Sequence, residues 1–197
     1  MLSSRAIVLA GVAAASLALY FSLSLYVFPQ LYLIEPRRPE AVITNVNLSA
    51  SEVELGETFT ISVAGTNRGE EADMQIVSVG FPNLTRSDSI EVLRHNFAQT
   101  PLRISIGTEV GSEYSGERMV NAQYPSIEAS SRPWAGGGTY NIDLQVRPET
   151  EGTFVIFVKS IAFPHSWNRA HWPQEGVSDY QKEFVDVYQV QVVTTKP

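Results

Sequence analysis

Residues 50–69 read ASEVELGETFTISVAGTNRG. From Phe59 onward the apolar side chains Phe59, Ile61 and Val63 alternate with Thr60, Ser62 and Ala64. A period of two belongs to a strand buried on one face. Gly56 allows a tight turn before this strand, and Asn67-Arg68-Gly69 supplies turn residues after it.

Working outward, the same rhythm continues. Val42, Thr44, Val46 and Leu48 are expected on one face of a preceding strand. Stretches 74–81, 90–93, 102–106, 140–146, 154–163 and 184–193 are further strands, punctuated by Gly, Pro and Asn. In the last of them the pattern slips from Val185 and Val187 to Tyr188, Val190 and Val192, which suggests a bulge or a twisting strand. Short strands without a long amphipathic helix predict an all-β fold, an antiparallel sandwich. One stretch breaks the rhythm, residues 111–138 (GSEYSGERMVNAQYPSIEASSRPWAGGG). A loop of that length is usually functional or carries structure of its own. It is expected to be an inter-strand excursion and the leading contact surface.

Within 50–69, Val53 and Leu55, then Gly56-Glu57, the alternating Phe59, Ile61 and Val63, and Asn67-x-Gly69 resemble the opening hairpin of Ig-like modules of the CARDB kind. Residues 151–157 (EGTFVIF) look like a late strand of such a sandwich. The resemblance implies an Ig-like β-sandwich from a membrane-anchored cell-surface protein of archaea or bacteria. It implies nothing about a partner.

The N-terminus is of another character. No charged residue lies between Arg5 and Glu35, and residues 6–28 (AIVLAGVAAASLALYFSLSLYVF) are almost wholly apolar. A helix of that length covers about 35 Å, enough for a hydrocarbon core of about 30 Å. Tyr20 and Tyr26 near its distal end fit an interfacial aromatic belt. The expected organisation is a membrane anchor over 1–28, a stalk over 29–40 carrying Pro29, Pro36 and Pro39, and an extracytoplasmic domain over 41–197. Two other readings stand beside the anchor. Processing after Arg5 would make the segment pilin-like, and cleavage after Ala15 would make it a secretory signal, at the expense of an apolar start over 16–28.

Composition narrows the function. Fourteen basic against 21 acidic residues give a net charge of −7, a poor match for nucleic acid. The absence of cysteine excludes disulfides, thiolate zinc sites, iron–sulfur clusters and cysteine nucleophiles. Neither G-x-S-x-G, H-E-x-x-H, a phosphate-cradling G-x-x-x-x-G-K-[ST] nor a Rossmann glycine fingerprint occurs, so an enzyme is not expected and no cofactor is assigned.

Few residues carry candidate chemistry. His165 and His171 stand six apart in 163–173 (FPHSWNRAHWP), with Asp179 nearby, a weak metal-ligand set that matches no compact motif. Asn47-Leu48-Ser49 and Asn83-Leu84-Thr85 are glycosylation sequons. Tyr124, Trp134, Trp167 and Trp172 fall in predicted loops and are candidates for an interaction surface, set against the bland reading that they cap the ends of the sandwich. The expected function is therefore a non-enzymatic module, bound to the bilayer through residues 6–28, that contacts a protein of the envelope or of a membrane complex, as a homo- or hetero-oligomer. The alternatives are a pilin-like or archaellum-associated filament or stator subunit, and an accessory metal- or ligand-binding subunit.

Overall fold

The computed structural model describes residues 4–23, 38–111, 119–164 and 170–194. They divide into two compact units, Met1–Pro36 and Arg37–Pro197.

The first unit holds one helix, α1 (Ser4–Ser22), of 19 residues. Among the described residues no helix is long and apolar enough to cross a membrane. The described helix is thus not by itself the span expected over 6–28, whose residues 24–28 lie outside the described residues. The helix gives about 28 Å of rise, its first turn includes Ser4 and Arg5, and residues 24–37 lie outside the described residues. Its large side chains are open: Val8, Leu9, Val12, Leu17, Leu19 and Phe21 are each more than half exposed.

The second unit is all β. Its strands in chain order are β1 (Ala41–Leu48), β2 (Glu52–Glu54), β3 (Phe59–Asn67), β4 (Met74–Gly80), β5 (Ile90–His95), β6 (Leu102–Ile104) and β7 (Glu109–Val110). They continue with β8 (Val120–Asn121), β9 (Ser126–Ser131), β10 (Thr139–Val146), β11 (Gly152–Phe163), β12 (Ala170–Trp172), β13 (Val177–Ser178) and β14 (Phe184–Val193). A four-stranded sheet runs β1-β3-β10-β5. A larger sheet runs β13-β14-β11-β4-β9-β6, with β12 on β11 and β2 parallel to β14. The first order is the A-B-E-D sheet of a constant-type immunoglobulin sandwich, and β14-β11-β4 is its G-F-C sheet. Two insertions elaborate the plan. Residues 96–138 add β6 and β9 to the larger sheet, and residues 164–183 add β12 and β13.

Alternation decides what lies between the sheets. Phe59, Ile61 and Val63 of β3 and Ile142, Leu144 and Val146 of β10 face Val77 and Val79 of β4 and Phe154, Ile156 and Val158 of β11. Phe59 and Phe154 meet edge to face across the layers at 5.7 Å. Burial of such side chains, at about 25 cal/mol per Å² of apolar area, is what a domain without disulfides relies on.

The structure revises several details of the sequence reading. In β1 the register shifts between Ile43 and Asn45, so Thr44 is bulged. Ala41 and Ile43 face the core before the bulge, and Val46 and Leu48 pack on it afterwards. Val42 and Thr44 therefore do not share the face of Val46. No bulge breaks the pairing of β14 with β11. Its slip in pattern is a change of cover: Val190 and Val192 face the sandwich core, whereas Val185 is buried outside it, against β13. The excursion over 111–138, expected at the surface, instead supplies β9 to the second sheet and Trp134 to the core, while its residues 112–118 lie outside the described residues.

One exposed turn is held by a single carboxylate. Glu149 accepts hydrogen bonds from the Thr85 amide at 2.9 Å, the Thr85 hydroxyl at 2.6 Å and the Ser89 hydroxyl at 2.7 Å, and pairs with Arg86 at 3.4 Å. Burial pushes this carboxyl up, but those bonds outweigh it and hold the group at about 2 against an ordinary 4.5. A depressed carboxyl gives stability that is complete above the unfolded-state value and is lost as pH falls through the folded one. The stability this carboxylate gives should therefore be lost as pH falls from about 4.5 to about 2. Glu149→Gln should flatten that stretch of the curve of melting temperature against pH, and an unchanged curve would remove Glu149 from the account.

Candidate functional site

The outward face of the four-stranded sheet carries an open concavity. On β3 the residues between the core positions are Ser62 and Ala64; on β10 they are Asn141 and Asp143. Both edge strands are bulged, β1 at Thr44 and β5 between Val92 and Arg94. A bulge bends its strand and re-aims the next side chain. Asn45 and Arg94, the residues just past the two bulges, line the rims of a groove of about 470 Å³ with His95, Asn96 and Asn141.

The groove is polar and largely prearranged. The Arg94 guanidinium pairs with the Asp143 carboxylate. Burial pushes Asp143 up, but hydrogen bonds from Ser62 and Arg94 and the Arg94 charge hold it below the usual carboxylate range. It is thus ionised in neutral solution. The Asn96 side-chain oxygen accepts from the Asn141 amide at 2.6 Å, fixing one rim. Amides, a carboxylate and a guanidinium can give and take hydrogen bonds in fixed directions. Apart from the His95 imidazole they offer no aromatic face on which a sugar or base would stack. The chemistry fits a polar segment of polypeptide. The bulges also make both edges poor templates for an added strand.

The residues singled out in the sequence lie elsewhere. Trp134 is fully buried, edge to face with Tyr140 at 4.4 Å and Phe97 at 5.6 Å, its indole N–H donating to the Gly138 carbonyl at 2.9 Å. It is a core residue and no part of a docking face. Trp172, half-buried, packs on the same core from β12. Tyr124 lies flat over Gly80, where an added Cβ would come within 2.6 Å of its ring. Trp167 and His165 lie outside the described residues.

His171 and Asp179 are occupied by the protein itself. The His171 Nδ1 is 2.6 Å from the Pro173 carbonyl and its Nε2 is 2.6 Å from a Glu183 carboxylate oxygen. Both ring nitrogens thus lie against protein oxygens at hydrogen-bond distance. Asp179 bonds Lys159. Among the described residues no group of three or more His, Asp or Glu side chains is disposed to hold a metal. Of the sequon asparagines, Asn47 is exposed on edge strand β1, whereas the Asn83 side-chain oxygen accepts from the Val155 amide at 2.7 Å.

The groove was hidden in the sequence because outward polar positions of a strand read as solvated surface. One signal was available: buried positions step by three between Ile43 and Val46, and such a step marks a bulge.

No protein-family model matches the chain, and a search of curated proteins finds no relative. Among solved structures, a cohesin module from a family 33 glycoside hydrolase of Clostridium perfringens aligns at 11% identity and a TM-score of 0.40, over 81% of this chain and 99% of that one. The CARDB domain of a Pyrococcus furiosus protein, solved in complex with di-metal ions, aligns at 12% identity and 0.36, over 81% and 91%. A β-glucosidase from Listeria innocua aligns at 15% identity and 0.37, and there the chain spans 79% of itself but 16% of the enzyme. Similarity of this degree fixes neither activity nor partner, and the function is argued from the residues.

Proposed function

We propose that the chain is a non-enzymatic interaction module, attached to a membrane by residues 6–28 and presenting its Ig-like sandwich outside the cytoplasm to a protein partner. The partner docks on the polar face of β1-β3-β10-β5. The observation that carries this reading is the groove between the two edge bulges, with Asn45 and Arg94 aimed across a floor of Ser62 and Ala64. Asparagine amides are neither nucleophiles nor bases, and the carboxylate present is held by Arg94 and Ser62, which leaves His95 as the lining side chain that could act as a base. Attachment is supported by the charge-free sequence from Ala6 to Ile34 and by the open apolar side chains of α1, which water alone would cover at a cost of about 1.5–3 kcal/mol each.

Ala64→Arg tests the groove. Ala64 sits mid-sheet with its side chain outward, so the variant fills the floor without entering the core. A partner that co-purifies with the wild type should be retained at least about tenfold less by the variant, since a blocked contact costs more than about 1.4 kcal/mol. Gln189→Arg, at an exposed position of β14 on the second sheet, should retain it fully. Equal retention by both variants would move the interface off this face.

A further inference from the structure

The domain buries a lysine against a carboxylate in a place where nothing in the docking face needs them. Lys159 projects outward from β11, and Asp179 hangs over it from the insertion that joins β12 to β14. The Lys159 Nζ is 2.6 Å from the Asp179 Oδ2, and the two side chains are 6% and 1% exposed. Two buried charges are costly to keep out of water even when paired. Here the surroundings do more than pair them. The other carboxylate oxygen, Oδ1, accepts from the backbone amides of Gln181 at 2.8 Å and Glu183 at 3.0 Å. The Gln181 side-chain oxygen accepts a second bond from Nζ at 2.6 Å, which fixes the amine over the carboxyl.

We propose that Lys159 and Asp179 join spontaneously in an isopeptide bond that staples the insertion to β11. A contact of 2.6 Å to Oδ2 leaves Nζ roughly 3.5 Å from Cγ, the separation of a near-attack geometry. A proton passes from the ammonium to Oδ2 along their hydrogen bond, and the freed amine pair forms the Nζ–Cγ bond. Negative charge gathers on Oδ1, where the two backbone amides already point, as donors do in an oxyanion hole. A second amine proton moves to Oδ2, the Cγ–Oδ2 bond breaks, and one water leaves. An ammonium and a carboxylate become a neutral amide and water, so no oxidant or other reactant is required.

The enclosure favours this direction. Tyr124 and Tyr180 close the site edge to face at 4.9 Å, and Tyr124 meets Phe157 at 5.7 Å. The space left beside Lys159, Asp179 and Ser78 is about 10 Å³, at the lower limit for a single water. Glu128 reaches the same face from β9, paired through Ser78 of β4, and burial pushes its carboxyl up against the opposing pull of Lys159.

The measurement is the intact mass of the purified full chain under denaturing conditions, followed by proteolytic mapping. The proposal expects a mass lower than the sequence by one water and a branched peptide joining Lys159 to Asp179. Lys159→Arg should show its full sequence mass and no branched peptide. A wild-type chain at its full sequence mass, with the two peptides separate, would overturn the proposal. Loss of ammonia with a branch to Gln181 would overturn the assignment to Asp179.

Discussion

Trp134→Ala is expected to cost about 3–5 kcal/mol of folding stability, the range for truncating a fully buried large aromatic residue. The indole is fully buried between Phe97 and Tyr140, and its N–H bonds the Gly138 carbonyl. Removing it opens a cavity that three surrounding strands cannot close. The Cα positions around it are fixed by close approach: a Cβ on Gly65 would come within 2.8 Å of Val77 and 3.5 Å of the Trp134 ring. Urea denaturation followed by far-ultraviolet circular dichroism gives the number. A cost under about 1 kcal/mol would mean that the tryptophan caps a loop and does not hold the two sheets together.

That residue also shows where sequence reading stops. Strands β3, β10, β11 and β14 were legible because each places three or more large apolar residues at a period of two, and β4 because Val77 and Val79 continue into Phe81 just past its end. Strand β9 was not, since SIEASS offers only Ile127 and Ala129 to its inner face. Its place in the sheet comes from pairing with β4 on one side and β6 on the other, which is tertiary information. Trp134, next to proline and just before three glycines, carries the local signature of a loop, and only the bridge between Ala72 and Trp134 shows why the loop turns inward. The Ig-like plan was thus readable, whereas the groove depends on two bulges and on which polar residues they bring together.

Relative to the chain in which Lys159 and Asp179 still stand as an unjoined ion pair, Lys159→Met is expected to cost about 3–5 kcal/mol, the range for breaking a buried pair by removing one partner. The variant leaves the Asp179 carboxyl 1% exposed with its cation gone, although its two backbone bonds persist. Adding Asp179→Asn should recover most of the loss, because the amide oxygen still accepts from Gln181 and Glu183 without carrying charge. Equal losses in the single and double variants would mean that Lys159 contributes by packing its stem and not by its charge.

The account's central claim is that a partner docks on the outward face of β1-β3-β10-β5. The most direct measurement places a photo-reactive side chain at Ser62, in the floor of the groove, and at Gln189, exposed on the opposite sheet, in the full chain in its native membranes. The account predicts one discrete adduct from position 62 and none from position 189. An adduct from position 189 alone, or none from either, would contradict it.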